Sequence, residues 1–168
     1  TGGSIRIPAH MCGIFGHKPT YGLVPRTGIF PESWSFDHSG PMTRTVEDSA
    51  IVLQAIAGHD PQDPSSIPGK VANFSRGLKL GIKGLRVGVP RRYFFTGIDA
   101  GVRTQVLTAI AALETLGAQL VEVDIPEAGL AMDCTFVIAW AEAAHYHRKW
   151  VRERPGDYGP DLLDLLQA

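Results

Sequence analysis

The chain has 168 residues, 44% hydrophobic and 20% charged, with 16 Lys+Arg against 17 Asp+Glu and a formal net charge of −1. That length suits one domain, and the near-neutral balance argues against an acidic or basic tail and against a surface built to track nucleic-acid phosphates. No apolar run reaches the ~20 residues of a membrane-spanning helix, the opening TGGSIRIPAH lacks a signal-peptide layout, and Cys12 and Cys134 stand far apart with no CxxC. A soluble, cytoplasmic, globular protein is expected, without disulfide scaffold, structural zinc, nucleic acid or membrane partner.

Between Gly2 and Gly40 lie seven glycines and four prolines, so this stretch reads as turn-rich chain. The first predicted element is a helix opening at Thr45, a good cap, with Glu47 and Asp48 at the positive end of its dipole. Val46, Ala50, Leu53 and Ile56/Ala57 follow at helical spacing, and Gly58 stops it. HDPQDPSSIPG (59–69), with three prolines, reads as an exposed connection. Apolar residues alternate over Leu85–Val89 as in a strand, Val102, Val106, Ile110 and Leu113 mark a helix ending near Gly117, and Val121, Val123 and Ile125 alternate again. Strand, helix and strand over 85–125 predict a βαβ unit with a right-handed crossover and parallel pairing. A helix over roughly 130–154 carries Met132, Phe136, Trp140, Ala143, His147 and Trp150 on one face, and Pro155 ends it. DLLDLLQA (161–168) is an amphipathic helix. Thr1 falls directly before a Gly-Gly-Ser turn and the last helix has nothing after it, so the chain is expected to be a piece of a larger domain.

Thr1-Gly2-Gly3-Ser4 is the segment most suggestive of chemistry. Glycines let the backbone approach a ligand closely, successive N–H groups in such a turn can converge on one oxyanion, and an adjacent hydroxyl can attack a carbonyl. Flexible linkers contain GGS too, and Arg6 stands where a GxSxG elbow would have its last glycine. In context the run TGGSIRIPAHMCGIFGHKPTYGLVPRTGIFP, followed by SFDHSGPMTRTVEDSAIVLQAIAGHDPQDP, strongly resembles the amidase signature family. The likeness covers essentially the whole chain: residues 1–64 carry the signature, and GLRVGVPRRYF, LGAQLVEVDIP and AEAAHYH match more loosely.

The resemblance implies an α/β fold, a portion of a large mixed sheet flanked by helices on both faces. It implies Ser4 as catalytic nucleophile, and the amides of Thr1, Gly2, Gly3 and Ser4 as the oxyanion hole. The family's lysine base and the serine in a cis peptide that relays its proton belong to segments upstream of the TGGS motif, absent from this chain. The implied partners are a small-molecule amide and that missing N-terminal segment, with a homo-oligomer allowed; no cofactor and no metal are implied. A stand-alone amidase, which His38 in SFDHSGP favours slightly, competes with the A subunit of a tRNA-dependent amidotransferase and with a non-catalytic fragment.

Other side chains carry weaker readings. Arg6 and Asp37 form a candidate supporting pair around Ser4, an arginine fork on a carboxylate, or are two separately solvated charges. Lys18 is the nearest lysine to Ser4, yet the resemblance places it on a strand away from the catalytic role. A Ser4–His38–Asp37 triad is disfavoured, because neighbours on a strand point to opposite faces. Cys12 is expected to pack as a small buried residue. His145 and His147 fall on different faces of their helix and make a poor metal pair. Arg91, Arg92, Tyr93, Phe94 and Phe95 follow the carboxyl end of a strand, where α/β sheets collect ligands, and are expected to border a substrate entrance.

Overall fold

The computed structural model describes residues 3–167. The chain forms two compact units, one comprising the stretches up to Gly77 and from Asp133 onward, the other Leu78–Met132.

In the first unit, α1 (Arg6–Met11) follows the Gly3-Ser4-Ile5 turn and leads into β1 (Phe15–Gly16), which pairs antiparallel with β2 (Met42–Thr43) in the register Phe15↔Thr43 and Gly16↔Met42. One further bond, from His17 N–H to Pro41 O at 3.0 Å, extends the pairing. The ladder stops there because Pro19 and Pro41 have no N–H to offer. Lys18 therefore lies beyond β1 in irregular chain, not on a strand as expected. Next comes α2 (Val46–Ile56), whose start matches its sequence signal: Thr45 Oγ1 accepts the Asp48 N–H at 3.0 Å. It buries Ser49, Ala50 and Leu53.

The connection after α2 is mostly exposed, as its sequence implies, but two of its polar residues are turned inward. Asp63 and Ser66 are buried, with the Ser66 hydroxyl accepting from Asp60 N at 2.8 Å. Its buried polar side chains are internally bonded, while most of the connection faces solvent.

All but the first two residues of α4 (Ala131–Glu153), together with α5 (Pro160–Gln167), complete this unit. The helix lies where its period predicts, but its buried residues are Glu142, Ala143 and His147. Met132 and Phe136, at the start of the expected apolar stripe, are about half exposed, at 50% and 52%. A carboxylate is inside because hydroxyl and amide donors wait for it there, as described below.

The second unit is a βαβ element. β3 (Arg86–Pro90) runs parallel to β4 (Gln119–Val123), from Arg86↔Gln119 to Pro90↔Val123, with α3 (Ala100–Thr115) between them in sequence. Asp99 caps α3 by accepting the N–H groups of Gly101 and Val102, at 2.7 and 3.1 Å. Gly117, at φ +93°, takes the left-handed turn that ends the helix. No α3 residue is fully buried, and its predicted inner residues Val102 and Val106 are exposed. Two strands offer too narrow an apolar face to cover a sixteen-residue helix.

Candidate active site

Ser4 is exposed, between buried Gly3 and buried Ile5. A bond from Ile7 N–H to Gly3 O, 2.7 Å, closes the turn that presents it, and the chain then enters α1. Two glycines make the seat beneath. A Cβ on Gly16 would meet Ala9 Cβ at 2.6 Å and Ile5 O at 3.0 Å; one on Gly40 would meet His17 O at 2.1 Å, Pro19 Cδ at 2.8 Å and Ile5 Cδ1 at 3.0 Å. Only residues without a side chain let the β1 and 38–41 stretches come this close to the Ser4 segment. Of the four residues expected to form an oxyanion hole, Gly3 and Ser4 lie in this turn, whereas Thr1 and Gly2 fall outside the described residues.

The expected Arg6–Asp37 pair is not formed. Arg6 is exposed, while the buried Asp37 carboxylate accepts the N–H groups of Glu32 and Ser33, at 2.8 and 3.0 Å. Arg6 follows Ile5 on the solvent side of the turn, and Asp37 is satisfied within its own loop. That loop is a turn over Trp34–Phe36 rather than a strand. His38 therefore stands apart from the Asp37 carboxylate for a different reason than alternation: its Nδ1 lies 2.7 Å from Phe36 O and its Nε2 lies 3.2 Å from Lys18 Nζ.

Cys12 is exposed, contrary to expectation: α1 ends at Met11, and Cys12 caps it ahead of Gly13 at φ +64°. Arg91 and Arg92 form exposed ion pairs with Glu122 and Asp124, at 3.5 and 3.7 Å. Among the described residues no group of three or more His, Cys, Asp or Glu side chains is arranged to hold a metal ion, and no helix is long and apolar enough to cross a membrane.

Three charges escaped the sequence reading, Arg26 part-buried and Asp63 and Glu142 buried, and all brace the loop that leads to His38. Arg26 donates through Nη1 to Trp34 O (2.8 Å) and through Nη2 to Tyr21 Oη (2.9 Å) and Ser65 Oγ (2.7 Å), and its guanidinium lies 4.9 Å from the Tyr21 ring centroid. Asp63 accepts the Arg26 N–H at 2.8 Å and stands 3.8 Å from Nε. The Ser65 hydroxyl, aided by the Arg26 and Ser65 amides, holds the Asp63 carboxyl below its ordinary range despite burial. From α4, Glu142 accepts Ser33 Oγ (2.5 Å), Ser35 N (3.0 Å) and Ser35 Oγ (2.5 Å). Burial pushes the Glu142 carboxyl up, but these serine hydrogen bonds outweigh it and leave it lowered. In the sequence, Glu142 reads like any other helical glutamate and gave no such signal.

The Amidase family profile matches residues 1–166. The chain belongs to the amidase signature family. It is 49% identical over 168 residues to an amidase of Pseudomonas putida, covering 99% of this chain and 36% of that protein. It is 50% identical over 170 residues to the A subunit of glutamyl-tRNA(Gln) amidotransferase from Geobacillus kaustophilus, covering 99% of this chain and 35% of that protein. The crystal structure of the A subunit of glutamyl-tRNA(Gln) amidotransferase from Thermotoga maritima superposes with a TM-score of 0.83 at 39% identity, over 92% of this chain and 35% of that one. The α/β class expected from the resemblance is that of these relatives. The chain spans about a third of the length of the curated relatives it matches.

Proposed function

We propose that this chain supplies the nucleophile of a cytoplasmic amide hydrolase that converts a small carboxamide to carboxylate plus ammonia or amine. The observation that carries the reading is an exposed Ser4, held in a closed turn between buried Gly3 and Ile5, within a chain that matches the amidase family along its length. Ser4 Oγ attacks the carbonyl carbon, and the developing oxyanion is received by backbone N–H groups of the Thr1–Ser4 stretch. Collapse expels the amine and leaves an acyl-serine, which water then cleaves. A serine hydroxyl needs a base, and a lysine acting through a cis serine, both from a preceding segment, fills that role. General-base help is worth typically about 10²–10⁴-fold, so residues 1–168 alone should turn over amides poorly.

The test is Ser4→Ala in the complete protein carrying this sequence. Amide turnover and labelling by a fluorophosphonate should both disappear while the fold persists; undiminished labelling of the variant would remove Ser4 from the mechanism. A second reading, the glutamine-hydrolysing component of a tRNA-dependent amidotransferase, is favoured by the 50% identity to such a protein. Glutaminase activity that appears only with partner subunits would select it.

A further inference from the structure

We propose that the Lys18–His38 hydrogen bond is a latch that positions the Ser4 segment, and that His38 is a positioning residue for amide hydrolysis. The inference rests on Ser4 being the nucleophile.

Three stretches meet directly behind Ser4. Ile5 is buried, and its Cδ1 lies against Gly40 so closely that one added methyl would sit 3.0 Å away. The same point on Gly40 is 2.1 Å from His17 O and 2.8 Å from Pro19 Cδ, so residues 17–19 close the other side. Two bonds hold the 38–41 stretch in this crossing. One is the backbone bond from His17 N–H to Pro41 O, 3.0 Å; the other is the side-chain contact between Lys18 Nζ and His38 Nε2, 3.2 Å.

The His38 ring is fixed at each of its polar atoms. Nδ1 lies 2.7 Å from the carbonyl of Phe36, so it carries the proton and Nε2 presents a lone pair. Lys18 Nζ donates to that lone pair and also to Pro19 O at 2.9 Å, which ties the ammonium to its own backbone. The Tyr21 ring meets the imidazole edge-on at 5.4 Å and sets its plane. Burial, and the positive charges of Lys18 and Arg26, lower the proton affinity of His38, in keeping with a neutral ring. An imidazole whose lone pair is engaged by an ammonium is a strut, not a free base. With no space between Gly40 and Ile5, movement of the 38–41 stretch is passed on to Ile5 and so to Ser4. A misplacement of about 1 Å can cost about 10²-fold in rate.

The test compares Lys18→Met, His38→Ala, the double variant and His38→Gln in the complete protein, by amide turnover and urea unfolding, with Ser4→Ala as control. The glutamine Oε1 can still accept from Lys18. His38→Ala and Lys18→Met should each lower kcat about 10- to 100-fold with KM within about threefold, following the misplacement scale. The double variant should be no worse than either single one, as for two ends of one contact, and His38→Gln should restore most of the rate. Additive losses, a loss confined to KM, a His38→Gln variant as slow as His38→Ala, or unchanged kcat in Lys18→Met would each overturn the latch. Lys18 is exposed, so its variant keeps the test decisive if a His38 variant fails to fold. An active Ser4→Ala control would instead sink the nucleophile reading and leave the latch without its premise.

Discussion

Gly40→Ala perturbs the seat of the Ser4 segment with a single methyl group. The backbone of Gly40 is not in the left-handed region, so the effect is steric rather than conformational. The new carbon would stand 2.1 Å from His17 O, 2.8 Å from Pro19 Cδ and 3.0 Å from Ile5 Cδ1. Carbon contacts settle near ~3.5–4.0 Å, so the crossing must open by roughly 1 Å or more. The nearest atom is a backbone carbonyl oxygen, which cannot swing aside as a side chain would. Overpacking of this kind costs about 1–3 kcal/mol, and losing the adjacent His17–Pro41 hydrogen bond adds about 1 kcal/mol. A destabilisation of about 3 kcal/mol is therefore expected, together with a fall in kcat from displacement of Ile5 beside Ser4. Urea unfolding of the complete protein measures the first and steady-state amide hydrolysis the second. Gly156→Ala is the control, since nothing lies within 4 Å of its added carbon and its backbone is equally ordinary. Equal urea midpoints and turnover for the two variants would refute the seat.

Glu142→Ala should destabilise by about 3 kcal/mol, since it strands a buried Ser33 hydroxyl and a Ser35 N–H; Glu142→Gln, whose carbonyl still accepts, should cost about 1 kcal/mol, and denaturant melts at pH 7 would show the order. Because the folded Glu142 carboxyl titrates below its ordinary 4.5, its stabilisation is complete above that pH and is lost as pH falls through the lowered folded value. Acid melts below pH 4.5 should therefore be shallower in Glu142→Gln than in the parent, and identical slopes would rule out this carboxylate as an acid sensor. Amide turnover should survive dialysis against a chelator, because amide dipoles can stabilise the oxyanion without a Lewis acid; a loss restored specifically by zinc or manganese would contradict the serine mechanism.

What the sequence determined by itself was local. Thr45, the acidic first turn and Gly58 define α2 through contacts within a few residues, and the alternating runs around 85–125 specify β3, α3 and β4 in the same way. The Gly-Gly-Ser segment stood out in the sequence as a candidate turn, of which Gly3 and Ser4 lie among the described residues. The burial of charge was not legible. Glu142 has the sequence context of any helical glutamate, yet its hydrogen-bond partner Ser33 lies 109 residues away, and Asp63 meets Arg26 across 37 residues. The helical period placed α4 but not which of its residues would be inside, because that depends on the donors facing it. Cys12 was expected inside because free cysteine usually packs as an apolar group, yet it stands exposed just past the end of α1, and Lys18 lies beyond the end of β1 where the resemblance had placed a strand. Periodicity and capping act over one or two turns of chain. Whether a carboxylate is solvated or enclosed is decided by groups that only the folded chain brings within 3 Å of it.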